Sequence, residues 1–132
     1  LRWQSYCKVI MLAVQSDVHR RELGIVRLVS NREDQYESVA NEWEKIQAER
    51  PISLNNSLRQ IIAAAGYRPD DAKPGQPVLL LNGKGDRLVA PLCSEAISKK
   101  WALELRSHPW AGHDMTLDDG EWVVTQLKQW LA

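Results

Sequence analysis

The 132-residue sequence has no phenylalanine, only two cysteines and no net charge. Each shortage narrows the reading. Seventeen basic residues balance seventeen acidic ones, and the balance holds along the chain: residues 1–75 carry 11 basic and 10 acidic side chains, residues 76–132 carry 6 and 7. Without a cationic excess there is no broad attraction for nucleic acid or an anionic membrane surface, and neither is expected as a partner. Cys7 and Cys93 are too few for a disulfide framework; they read as small buried apolar residues of a protein in a reducing, cytoplasmic compartment. No apolar run approaches the ~20 residues of a membrane span, and no basic-then-apolar leader opens the chain.

What is there fits one domain of ordinary globular composition, with 44% apolar and 26% charged residues. Six tryptophans take the place of the missing phenylalanine, and their volume calls for a core, an interface or a pocket wall. The chain divides into two rhythms. Residues 1–65 are helical, and a connector rich in Gly and Pro runs from Gly66 to Pro77. Four apolar stripes at three-four spacing predict four helices. The first carries Trp3, Tyr6, Cys7, Ile10, Ala13 and Val14; the second Leu23, Val26 and Val29, capped by Ser16 or Asp17. The third carries Tyr36, Val39, Ala40, Trp43 and Ile46. The fourth, capped by Ser53, carries Leu54, Leu58, Ile61, Ile62 and Ala65, with Gly66 as a left-handed C-cap.

Residues 76–132 predict strand, helix, strand, helix. Val78–Leu81 is a continuous apolar run, suited to a parallel strand covered on both faces. A helix with Leu92, Ala96, Ile97 and Trp101 follows, then a strand from Leu103. A final helix carries Trp122, Val123, Leu127, Trp130 and Leu131, with Asp118 and Glu121 spaced as a capping box. The fold class is therefore α/β, with a right-handed βαβ crossover.

Loops leaving the carboxyl ends of parallel strands are where catalytic groups collect. One such loop carries Asp86 and the other His113, 27 residues apart, which leaves room for one helix and one strand between them. Adjacent strands would bring the two side chains to one edge, where a carboxylate can fix an imidazole tautomer while the ring moves a proton. His108 is read as a strand-end histidine with a structural hydrogen bond. A metal site from His108, His113 and Asp114 has no recognised zinc spacing. Gly83-Lys84-Gly85 is not a phosphate loop, because no glycine stands at position 78 and Gly85 follows the lysine.

The segment Val78-Leu79-Leu80-Leu81-Asn82-Gly83-Lys84-Gly85-Asp86-Arg87 resembles the last acid-bearing strand and loop of the α/β-hydrolases. His108-Pro109-Trp110-Ala111-Gly112-His113-Asp114 resembles their histidine loop. The resemblance covers residues 76–132 in detail and makes residues 1–75 a helical lid-like segment and connector. It implies Asp86 as triad acid, His113 as general base and a serine nucleophile on a Gly-x-Ser-x-Gly elbow, in the order Ser, Asp, His. No two of the seven glycines are four apart, so this chain holds no such elbow.

The expectation is thus the carboxyl-terminal half of a serine hydrolase acting on an ester or similar small acyl substrate, with no metal or organic cofactor. The serine would come from an amino-terminal half preceding Leu1. Since two strands do not make a stable sheet, the chain is expected either with that half or as a homodimer. The rival expectation is a non-catalytic interaction module that keeps the tail of this fold and binds through its Trp-rich helices.

Overall fold

The computed structural model describes residues 3–132, without the side chain of Trp3, and is a mixed α/β structure. Four helices come first: α1 (Trp3–Ala13), α2 (Val18–Val29), α3 (Tyr36–Glu49) and α4 (Leu54–Gly66). Then come β1 (Leu79–Gly83), α5 (Pro91–Trp101), β2 (Glu104–His108) and α6 (Met115–Leu131). The strands pair in parallel, Leu79 opposite Glu104 through Gly83 opposite His108. Their carboxyl ends are therefore level, and the loops after Gly83 and His108 leave the sheet side by side.

Local chemistry accounts for most boundaries. Asp17 caps α2 by accepting from the Arg20 N–H at 3.0 Å, and Ser53 caps α4 by accepting from the Asn56 N–H at 3.2 Å. Pro91 opens α5, where its missing N–H costs nothing. The left-handed C-cap expected at Gly66 is absent; Gly66 stays helical and Tyr67 is extended. The one non-glycine residue with positive φ among those described is Ala102, at φ 50°, which turns the chain from α5 into β2. The capping box expected at Asp118 also lies elsewhere. Asp114 caps α6 by accepting from the Leu117 N–H. Non-helical backbone at Asp119 then interrupts the helix, and Asp119 re-caps it by accepting from the Trp122 N–H at 3.0 Å.

The helical segment packs differently from its apolar pattern. The stripe read for α1 faces largely outward: Ile10 and Val14 are 45% and 61% exposed, and Cys7 is exposed too. Instead, buried Ser5 donates its hydroxyl to the Arg87 carbonyl at 2.7 Å, and Leu12 packs over Gly24 of α2, where a Cβ would run into it, so α1 leans on α2 at that point. Cys93 is likewise exposed on α5. The leucines of β1 are half-buried rather than covered on both faces, since a sheet of two strands flanked by α5 and α6 cannot enclose them. Among the described residues the largest fully enclosed side chains are Val26, Asp118 and Ser30, two of them polar. The best-sealed place in the molecule is thus a hydrogen-bonded junction between the helical segment and the βαβα unit.

Candidate active site

Asp86 and His113 meet at the carboxyl edge of the sheet, with His113 Nδ1 2.9 Å from Asp86 Oδ2. A carboxylate only accepts, so Nδ1 carries the proton and Nε2 presents its lone pair in the neutral ring. The other carboxylate oxygen accepts from the Leu88 and Val89 N–H groups at 2.7 and 2.8 Å. Both oxygens of Asp86 are thereby fixed, and its side chain is only 12% exposed against 43% for His113. The pair is anchored on the acid side and open on the imidazole side.

The two loops touch through backbone. The Lys84 N–H donates to the His108 carbonyl at 2.9 Å and the Gly85 N–H to that of Ala111 at 3.0 Å. A Cβ at Gly83 would overlap the Ala111 carbonyl oxygen, and one at Gly85 that of Trp110. The two glycines before Asp86 are what let the acid loop lie flat on the histidine loop.

The environment shifts both groups. Burial pushes the Asp86 carboxyl up, but the hydrogen bond from His113, the Val89 and Leu88 N–H groups and the imidazolium charge outweigh it and hold the carboxyl below its ordinary range. The hydrogen bond to Asp86 raises His113 above its ordinary value of 6.5; partial burial opposes this, and the charges of Asp86 and Asp114 add to it.

His108 stays apart from this pair. It is buried, and its Nδ1 accepts from the Ala111 N–H at 2.9 Å, so Nε2 carries the proton toward Asp119 Oδ2 at 3.2 Å. Trp110 and Trp122 meet it edge-on, with ring centroids 4.9 and 4.8 Å away. It shapes the histidine loop from below. Asp114 serves as a helix cap, and no group of three metal-ligating side chains occurs among the described residues.

Sequence reasoning missed the third wall of the site, the segment from Val29 to Arg32 at the end of α2. The Asp114 N–H donates to the Val29 carbonyl at 2.9 Å. The Ser30 carbonyl accepts from the Tyr36 hydroxyl at 3.0 Å and from the Arg87 guanidinium. The Asn31 amide nitrogen donates to the carbonyls of Gly85 and Trp110 at 3.2 and 2.7 Å. Asp118, 1% exposed, accepts from the Ser30 hydroxyl at 2.5 Å, the Asn31 N–H at 3.0 Å and the Gly112 N–H at 2.5 Å. The one signal in the sequence was a polar Ser-Asn pair directly after an apolar helix face.

Beside this wall lies a cavity of about 640 Å³ between α1, α2 and α4, lined chiefly by apolar side chains such as Leu12, Ile25 and Ile61. Val29 and Leu88 belong to its wall as well, so the cavity abuts the segments that hold His113 and Asp86. Comparison of the chain with family models, curated proteins and solved structures finds no match.

Proposed function

We propose that this chain supplies the acid and the base of a serine hydrolase of the α/β-hydrolase type. The observation that carries the reading is the Asp86–His113 pair, bonded at 2.9 Å through Nδ1 at the carboxyl edge of two parallel strands. With Nδ1 tied to the carboxylate, Nε2 is free to take a proton from a hydroxyl nucleophile and return it to a leaving group. Asp86 holds the tautomer and stabilises the imidazolium. The nucleophilic serine and the oxyanion donors belong to another segment, because no elbow motif exists in this sequence. The apolar cavity beside Leu88 suits the hydrocarbon part of an ester or similar acyl substrate.

The sheet supports the same reading. In the two-stranded sheet of the described residues, β1 and β2 each bond along one edge only. Such open strand edges can accept a further segment, either the amino-terminal half of the hydrolase fold or a second copy of this chain. Sedimentation of the purified chain should show a complex or a dimer; a well-folded monomer at micromolar concentration would remove this part of the reading. A module that binds another protein is the second reading, favoured by the exposed Leu54, Ile62 and Leu131.

The deciding experiment joins the chain to the elbow-bearing amino-terminal half that the proposal requires. The joined polypeptide should hydrolyse activated esters, and His113→Ala should lower kcat by about 10³-fold or more. Ester turnover that His113→Ala leaves intact, or a preceding segment without a Gly-x-Ser-x-Gly elbow, would overturn the proposal.

A further inference from the structure

Resting on the reading of Asp86 and His113 as the working pair, we propose that Asn31, seated by Asp118, is a positioning residue that sets their geometry from the helical segment. The two side chains are held in different ways. Asp86 is fixed within its own loop by the Leu88 and Val89 N–H groups, whereas His113 is exposed and held only at Nδ1. The orientation of the imidazole therefore follows the backbone of residues 110–114.

Asn31 acts on that backbone and on the acid loop at once. Its planar amide has two N–H bonds; one meets the Gly85 carbonyl, next to Asp86, and the other the Trp110 carbonyl, three residues before His113. A planar donor with both hydrogens committed fixes the spacing and the angle between its two acceptors. Asp118 in turn fixes Asn31. Its buried carboxylate takes the Asn31 N–H and, on the same side chain, the Gly112 N–H next to His113. The Val29 carbonyl takes the Asp114 N–H on the other side of His113. His113 is thus flanked by two N–H groups, both anchored on or through residues 29–31, while the acid loop hangs from the same residues through Gly85 and Arg87. A rotation of this segment would change the Nδ1 to Oδ2 distance without touching either side chain.

The test is the titration of His113, followed by imidazole nuclear magnetic resonance in the 132-residue chain, in whatever oligomer it purifies. The carboxylates acting on the ring are those of Asp86 and Asp114, and neither is altered in the variants. Asn31→Ala removes both donors. Asn31→Leu removes them while keeping the volume. If Asn31 positions the pair, His113 in both variants should titrate lower than in the native chain by at least about 0.3 units, toward its position in Asp86→Asn. A wild-type titration in either folded variant, or restoration by leucine, would reduce Asn31 to a space-filler and overturn the proposal.

Where neither variant folds, native-state amide exchange of the unaltered chain decides. Opening of the bridge should expose the Gly112, Asp114, Leu88 and Val89 amides together, and protection differing by more than about tenfold between the loops would overturn it. None of these readings uses ester turnover, so the catalytic proposal can fail while this one stands, and the reverse.

Discussion

Around Asp118 the chain encloses a carboxylate, a hydroxyl and two backbone N–H groups, every one of them partnered. Elsewhere in the helical segment, α1, α2 and α4 stand half open around an apolar cavity, with its lining residues Val14 and Leu54 61% and 47% exposed. Both regions join the helical segment to something else. In the polar seam all the partners are in the chain: α2, both loops and α6. In the apolar groove α1, α2 and α4 supply most of the wall, with Gln47 and Leu88 beside them, and several of the described lining side chains stay exposed. Directional bonds between named atoms close on a single arrangement, whereas apolar faces wait for area.

The sharpest way to break this contrast is Asp118→Ala. It leaves the Ser30 hydroxyl and the Asn31 and Gly112 N–H groups buried without acceptors, at roughly 1–3 kcal/mol each before relaxation, so about 3 kcal/mol or more is expected in denaturant unfolding. A loss under about 1 kcal/mol would show that the seam is hydrated and replaceable.

In the groove the effects should be smaller. Leu12→Ala, which empties the contact over Gly24, is expected to cost about 1–2 kcal/mol, less than a fully buried leucine because Leu12 is half-buried. Leu54→Gln, at the exposed rim of the groove, should stay within about 0.5 kcal/mol in the isolated chain. A larger loss at Leu54 would mean that the groove is already closed, by a second copy or by a folded-back segment.

The pH dependence is the finest of these probes. His113 is raised in the folded state, so its contribution is complete below its ordinary 6.5 and fades as pH rises through the folded value. Asp86 is lowered, so its contribution is complete above the ordinary 3.8 and is lost as pH falls. Between those limits the pair stabilises most. With His113 partly in solvent, the native Tm should drop by only about 1–3 °C between pH 6 and pH 8.5 through this pair, and Asp86→Asn should flatten that part of the profile. An equal slope in the variant would place the titration elsewhere.

The order of the elements was legible for simple reasons. A caps-and-stripes pattern is local, and so are the βαβα rhythm and the Gly83-x-Gly85-Asp86 spacing; the structure forms the corresponding helices and strands and brings Asp86 to His113. Which face of α1 turns inward was not legible. The apolar periodicity of Tyr6, Ile10 and Val14 pointed one way, whereas in the fold Leu12 packs over Gly24 of α2 and Ile10 and Val14 stay exposed. Asp118 was hidden for a related reason. As one of three aspartates near a helix start it looked like a cap, and nothing near it in sequence announces that its hydrogen-bond donors sit on residues 30 and 31.

That distance along the chain also orders events in time. Eighty-eight residues separate Ser30 from Asp118, whereas the two strands pair across 25. Closing the longer loop costs about 1 kcal/mol more in chain entropy before any bond forms. The strand pair and the helices α2 and α3 can assemble early from nearby residues, and the seam closes on them afterwards. Ser30→Ala should therefore hasten unfolding and leave the folding rate nearly as it was, which stopped-flow kinetics would register. The seam beneath the Asp86 and His113 loops is thus the last joint expected to set, so a newly made chain would acquire its strands and helices before the two loops are tied to α2.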